Sequence, residues 1–368
     1  MELKRAYKFR LYPTMTQEKE LDTHRWRSKN LWNTLLDFAI KRYNETGKFP
    51  TKSQLQSETK KTGMYSQSAQ DVSHRLHKAL LRCFIMRKRG KKVGFPRFKN
   101  IDRAKSIYYP QSGFSIVGKK VKITPFGEIS MVIHRPIEGT MKTLSLKRES
   151  SGKWFAVFTV EQETKPFISN GKGQIGIDLG LKTFATLSNG TKIGNPRHLA
   201  KWEKILAKRQ RNISRKKKGS KSRFLAKRKV ANVYEKIQNS RADFLHKTSI
   251  QLVNSYSLIG IERLQSQEMA EHAYGKQIND AGWNRFANMM VYKAENAGCQ
   301  VVFVDAKDTT KTCHVCGTKK NMSLYERTYA CDKCNSVTDR DINAAQNILH
   351  RATTVGQTGS HAWGDTNE

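Results

Sequence analysis

The first thirteen residues alternate with period two, Tyr7, Phe9 and Leu11 on one side against Ala6, Lys8 and Arg10 on the other, and stop at Pro13. That pattern predicts a half-buried strand. From Thr16 the period lengthens, and Leu21, Trp26, Leu31, Leu35, Phe38 and Ile40 form the apolar stripe of a helix, with Thr14 or Thr16 as N-cap. A loop at 46–50 is followed by a second helix from about Ser66 to Arg89, with Val72, Leu76, Leu80, Phe84 and Ile85 facing inward; GKKVGFPRFK then breaks it. Residues 105–162 read as short strands between Gly and Pro turns (SIYYP, FSIV, KKVKIT, EISMVIH, TLSLKRE, KWFAVFTVE), the look of a small β-barrel. Residues 4–12 would close that barrel, which makes the helices of 14–95 an insertion, and residues 163–173 read as a linker.

Beyond residue 174 the pattern changes. QIGIDLG and TFATLSNG are apolar strands joined by a short turn, SLIGIERL and CQVVFVD are two more, and a helical hairpin over about 197–255 lies between the pairs. A last helix begins at DINAAQNIL, where Ala344 and Ala345 permit close packing on a sheet, and the polar tail after residue 351 is expected to fray.

Charge narrows the function. The chain of 368 residues carries 68 Lys and Arg against 31 Asp and Glu, a formal net charge of +37. Such an excess repels itself unless a polyanion neutralises it, and nucleic acid does so by releasing counterions. No apolar run approaches membrane-spanning length, and the start lacks the apolar core of a secretory signal, so a membrane partner is not expected. Residues 201–230 hold fourteen Lys or Arg and one Glu, where a merely solvated helix would mix signs; Arg209, Arg211 and Arg215 are therefore candidate nucleic-acid contacts.

Two constellations carry chemistry. Cys313-His-Val-Cys316 and Cys331-Asp-Lys-Cys334 are separated by fourteen residues, the spacing of two knuckles gripping one structural Zn²⁺. Gly317 and Asn335 follow the pairs as turn-formers, and His314 is expected at the surface. The other two cysteines, Cys83 and Cys299, stand alone, which suits a reducing compartment better than a disulfide framework. The second constellation is acidic: Asp178 lies within an apolar strand, Glu262 ends another, and Asp341 opens the last helix. An unpaired carboxylate on a core strand is costly. Divalent cations neutralise it, and two Mg²⁺, or Mn²⁺, about 3.5–4 Å apart support phosphodiester cleavage.

Together these segments resemble the TnpB family, the insertion-sequence nucleases similar to type V CRISPR effectors. The resemblance runs nearly end to end: YKFRLYPT with Gln17, AQDVSHRLHKAL, GFPRFK, HRPIEG, SGKWFAVF, GIDLGLKTFATLSNG, IGIERL, GWNRF with YKAE, KTCHVCG, and YACDKC with DRDINAAQNIL. It implies a multidomain α+β fold: an oligonucleotide-binding, WED-like β-barrel (1–13 and 96–165) carrying a helical REC-like insertion (14–95), then an RNase H-like, RuvC-like α/β domain (174–306 and 337–351). A zinc-ribbon insertion (307–336) for target nucleic acid and a flexible tail (352–368) complete it. The resemblance makes Asp178, Glu262 and Asp341 the catalytic trio, with Asp339 a poorer third ligand, and gives Arg327 the scissile phosphate. It places Ser66, Gln67, Gln70 and Gln111 near where the family reads a short transposon-adjacent DNA motif; amide side chains suit adenine edges. It further implies a guide RNA, double-stranded target DNA, a monomeric ribonucleoprotein and a cytoplasmic setting in a bacterium or archaeon. Thr310 stands where the family commonly has Ser. The expected activity is RNA-guided DNA cleavage at one Mg²⁺-dependent site; the alternatives are a guided DNA-binding regulator and a strand-transfer transposase, although no helix-turn-helix is legible.

Overall fold

The computed structural model describes residues 2–60, 62–102, 104–163, 167–264, 269, 271, 274–323 and 325–356. The chain divides into two compact units, Met1–Thr164 and Lys165–Glu368.

The first unit is built on seven strands, β1 (Glu2–Tyr12), β2 (Ser106–Tyr109), β3 (Phe114–Val117), β4 (Lys120–Ile123), β5 (Gly127–Val132), β6 (Thr140–Arg148) and β7 (Trp154–Glu163), in the order β2-β6-β7-β1-β5-β4-β3. The first strand in the chain thus takes the middle of the sheet, antiparallel to both β7 and β5. Period two puts Tyr7, Phe9 and Leu11 into the core with Trp154, Phe158, Ile129 and Val121. The edge strands approach each other: the rings of Tyr109 on β2 and Phe114 on β3 are 6.4 Å apart, and Phe114 lies 6.1 Å from Phe158. The sheet is therefore nearly a closed barrel.

Helix α1 (Met15–Thr46) starts in a capping box, with the Thr14 hydroxyl accepting from the Gln17 N–H and the Gln17 side chain accepting from the Thr14 N–H. The Gln17 amide also donates to the Phe126 and Glu128 carbonyls, tying the helix start to the barrel. A short α2 (Lys52–Ser57), absent from the sequence reading, precedes α3 (Ser66–Lys88). Leu31, Leu35, Leu36 and Ala39 of α1 pack with Leu55 and with Val72, Leu76 and Leu80 of α3. Three residues assigned inward face outward: Trp26, Phe84 and Ile85 are 54, 45 and 48% exposed. The buried stripe of α1 passes through Leu21, Arg25 and Ser28, which leaves Trp26 a residue, and hence about 100°, off it. On α3, Cys83 takes the inward place after Leu80.

The second unit holds a mixed sheet of β8 (Gln174–Leu179), β9 (Thr183–Leu187), β10 (Lys192–Gly194), β11 (Leu258–Glu262) and β12 (Gln300–Val304), ordered β10-β9-β8-β11-β12. The first three are an antiparallel meander, and β8, β11 and β12 are parallel. Helices α4 (His198–Ser214) and α5 (Lys221–Ser255) form the hairpin, zipped by Leu206, Val230, Val233 and Ile237. Helices α6 (Gly275–Ala281) and α7 (Trp283–Ala297) precede β12. On one sheet face Ile175, Ile177, Ile259 and Ile261 pack with Leu245, Leu252, Phe286 and Met290. The other face receives α8 (Arg340–Gly356), which follows a small hairpin of β13 (Thr328–Ala330) and β14 (Val337–Asp339). Ile348 and Ala352 of α8 meet Leu258, Val302 and Val304, so the helix runs past residue 351, where fraying was expected; residues 357–368 lie outside the described set. Among the described residues no helix is long and apolar enough to cross a membrane.

Two glycines let α8 sit directly on the strands. A Cβ on Gly176 would lie 2.1 Å from the Ala345 carbonyl oxygen, and one on Gly260 would lie 2.7 Å from the Ala352 Cβ. Gly176 and Gly260 are register partners across β8 and β11. We expect Gly176→Ala to cost about 1–3 kcal/mol through overpacking, lowering the melting temperature measured by calorimetry. Gly194→Ala, where a Cβ meets nothing within 4 Å, should leave it unchanged.

Candidate functional site

Side chains alternate along a strand, so Asp178 faces the same side as Gly176, and Glu262 the same side as Gly260. The parallel register pairs Ile177 with Ile261, which sets Asp178 and Glu262 at neighbouring strand ends, on the face that α8 covers. Asp341 lies in the first turn of α8, where the positive end of the helix favours a carboxylate. The three acids named from sequence thus converge. Burial, then the like charges of Glu262 and Asp341, push Asp178 well above the ordinary carboxylate range. Burial also raises Glu262, against the hydrogen bond that it accepts. Arg340 and Arg327 place guanidinium nitrogens 3.6 and 3.8 Å from Asp341. Asp339 is otherwise engaged: it pairs with Lys192 at 2.7 Å and accepts from the N–H groups of Asp341 and Ile342, capping α8. A site where burial and the charges of Glu262 and Asp341 raise the proton affinity of Asp178 fits a divalent cation, although the oxygens of the three acids do not all lie within 4.8 Å of one another as the four sulfurs do.

The sequence reading missed what holds these acids in place. The buried Thr309 hydroxyl donates to Glu262 Oε1 at 2.5 Å. The hydroxyl singled out from the family pattern, Thr310, is one residue away. Asn347 donates to the carbonyls of Thr309 and Thr312 at 2.9 and 2.6 Å. Asn343 donates to the Thr312 carbonyl and accepts from the His314 N–H, while Arg351 donates to the Asp305 and Lys307 carbonyls. Residues 343, 347 and 351 recur every four positions, so one edge of α8 grips segment 305–314 while its Ala344, Ala345, Ile348 and Ala352 seat it on the sheet. That polar spacing was visible beside the alanines. His314 is exposed, as expected, and its Nδ1 lies 2.9 Å from Asn343 Oδ1.

The four cysteine sulfurs lie within 4.8 Å of one another, with Cys313 and Cys334 at 3.7 Å and Cys316 and Cys331 at 3.5 Å. Zn–S bonds of about 2.3 Å in a tetrahedron place sulfurs about 3.8 Å apart, so the donor set fits one zinc ion. Gly317 and Asn335 adopt positive φ of 73° and 55°, closing each knuckle by N–H bonds to the Cys313 and Cys331 carbonyls.

The remaining candidates divide between the units. Arg209, Arg211 and Arg215 are exposed along α4 and its end. In the first unit Ser66 and Gln111 are exposed, and Gln67 accepts from the Ser112 N–H at 3.2 Å. Gln70 is half-exposed on α3, its carbonyl taken by Ser73.

Fold and site define a multidomain α+β protein with a carboxylate centre beside a four-cysteine ribbon. The OrfB_IS605 family model, described as "Probable transposase", matches residues 157–273; one described as "Cas12f1-like, TNB domain" matches 283–348, and one described as "Helix-turn-helix domain" matches 1–48. Residues 1–48 hold β1 and the unbroken α1, so its described residues form no helix-turn-helix. The chain is 33% identical over 360 residues to the "Putative RNA-guided DNA endonuclease" of Streptomyces pristinaespiralis, covering 95% of this chain and 89% of that one. It is 29% identical over 277 residues to InsQ of Escherichia coli (strain K12), which has the same description, covering 70 and 69%. The fold is similar to the protein in the cryo-EM structure of a Cas12f1-sgRNA-target DNA complex, with a TM-score of 0.57, 14% identity and coverage of 95 and 99%. This chain belongs to the TnpB, or OrfB, family.

Because Asp178 binds its proton more tightly folded than unfolded, its own contribution to metal-free stability is fully present below the ordinary value of 3.8 and is lost as pH rises toward the raised one. Asp178→Asn should remove part of that decline and raise the melting temperature at pH 7 in chelator. Added Mg²⁺ should raise it for the unsubstituted protein and much less for the variant.

Proposed function

We propose that the chain is an RNA-guided DNA endonuclease that cuts with a single RuvC-like site. The observation that carries this is the convergence of Asp178, Glu262 and Asp341, on two parallel strand ends and a helix start, in a chain of net charge +37. The 3-2-1-4-5 order of the second sheet, with α8 packed across it, supports an RNase H-like assignment. Two Mg²⁺ held by these acids would activate a water and stabilise the leaving oxygen. Thr309 keeps Glu262 oriented and favours its ionised form. Arg340 balances the acids, and the half-exposed Arg327 is free to turn toward a phosphate oxygen. The nearly closed barrel with its helical insertion, and the basic α4–α5 hairpin with Arg209, Arg211 and Arg215, would hold guide RNA and heteroduplex. Pairing with the guide supplies sequence recognition. Ser66, Gln67, Gln70 and Gln111 would face the adjacent DNA motif, Gln67 and Gln111 being drawn together through Ser112. The zinc ribbon holds segment 307–336 against the site. One chain per guide suffices for this arrangement.

The relatives described as RNA-guided endonucleases favour cutting; the transposase description of the OrfB model favours strand transfer as the second reading. Protein expressed with its flanking DNA should carry a discrete RNA ending in a variable segment, and a duplex matching that segment should be cut in Mg²⁺. Asp178→Ala should abolish cutting and keep the RNA; Thr309→Val should slow cutting at least tenfold and Thr309→Ser should restore it. Full cutting by Asp178→Ala would refute the assignment, and joined transposon ends without RNA would favour strand transfer.

A further inference from the structure

Helix α4 carries the exposed Arg209 and Arg211 and leads to Arg215, yet it has no cap of its own. Arg197 precedes it at φ 49°, in the left-handed region, and makes no side-chain capping bond. The cap comes from another helix. The Leu199 N–H donates to Asp280 Oδ2 at 2.8 Å, and the other carboxylate oxygen of Asp280 pairs with Arg241 Nη2 of α5 at 2.6 Å. Asp280 is buried in the last turn of α6, where the negative end of its own helix disfavours a carboxylate; the positive end of α4 and the Arg241 guanidinium offset that. The Arg241 stem lies against Gly282, between α6 and α7, where a Cβ would come within 3.3 Å of Arg241 Cδ. His198 Nδ1 adds a contact of 2.8 Å to Ser240 Oγ of α5. Lys276 of α6 also comes within 3.8 Å of Glu203 of α4, but both are exposed and such a pair holds little. Further out, Leu206 joins Val230, Val233 and Ile237 in a cluster apart from the core on the sheet.

We infer that Asp280 is a positioning residue for nucleic-acid binding: it joins α4, α5 and α6 at the root of the basic hairpin and fixes the direction in which Arg209, Arg211 and Arg215 are presented. The inference rests on the reading of that hairpin as a grip for heteroduplex, and adds the residue that aims it. Leverage makes one carboxylate matter. At about 1.5 Å per residue, Arg209 and Arg211 stand about 15–18 Å along α4 from Leu199, so a tilt of about 10° at the root moves them about 3 Å. A guanidinium–phosphate hydrogen bond does not survive a displacement of that size. A buried ion pair often adds no stability over apolar residues of similar volume. Its use here is geometric: one carboxylate, held in one place, meets one N–H and one guanidinium.

The test uses the full chain with its co-purified RNA, in Ca²⁺ to permit binding without cutting, and a labelled DNA strand complementary to the variable segment of that RNA. Affinity is measured over a salt series, because the slope of log affinity against log salt follows the number of phosphates neutralised. Asp280→Ala should lower that slope by about 2, the weight of two or three phosphate contacts. Replacing Arg209, Arg211 and Arg215 together with Ala should lower it by a similar amount, and the combined variant should go no lower. A fold weakened elsewhere would reduce the bound fraction and leave the slope as it was. If Asp280→Ala proves unfolded by circular dichroism, Asp280→Asn carries the same comparison, since it keeps an oxygen for the Leu199 N–H and gives up the charge that holds Arg241. An unchanged slope in the Asp280 variant, or a loss that adds in full to that of the arginine variant, would overturn the inference. A slope unmoved by the arginine variant would instead defeat the nucleic-acid reading of the hairpin. Amide exchange over the first turn of α4 reads the joint separately: quickened by Asp280→Ala it supports the cap, and unchanged it removes the inference.

Discussion

Helix α8 rests on β8 and β11 at backbone distance, and it can do so because two glycines leave room. The Ala345 carbonyl occupies the place a Cβ of Gly176 would take, and Ala352 presses on Gly260. Two residues further along each strand, on the same face, come Asp178 and Glu262, just where α8 begins with Asp341. The closeness of the seat therefore sets the closeness of the acids. With bulkier residues at 176 and 260 the helix would stand off and the third carboxylate would recede.

The same helix does a second job with its other edge. Asn343, Asn347 and Arg351 satisfy backbone carbonyls of segment 305–314, which has few regular bonds of its own, and that segment delivers the Thr309 hydroxyl to Glu262. Buried amides are costly unless paired, and here Asn343 and Asn347 share the Thr312 carbonyl while Asn347 also takes that of Thr309. The four-cysteine ribbon then closes the excursion between β12 and α8, so a long loop returns to the site with defined geometry. A carboxylate centre whose like charges repel is held by packing and neutral hydrogen bonds more than by ion pairs, which leaves its charge available to a cation.

Much of this was legible in the residues. Alternation gave β1 its inward Tyr7, Phe9 and Leu11, and the hydroxyls of Thr14 and Thr16 marked the start of α1, of which Thr14 is the cap. The tetrapeptides Ile175-Gly-Ile-Asp178 and Ile259-Gly-Ile-Glu262 repeat one pattern, isoleucine toward one face, glycine and acid toward the other. The acids were found and the glycines passed over, because a small residue in a strand signals nothing until its neighbour across the sheet is known. Trp26, Phe84 and Ile85 were misplaced for a related reason: hydrophobicity alone does not say which side of a basic helix is covered. Thr309 was hidden because segment 305–314 has no period to read, and only the polar spacing on α8 pointed to it.

The most direct test of this account is an anomalous difference map from crystals soaked in Mn²⁺. A peak bounded by Asp178, Glu262 and Asp341 is expected at oxygen-ligand distance, besides the zinc among the four cysteines. A map with zinc alone, or with manganese bound away from the three acids, would contradict it.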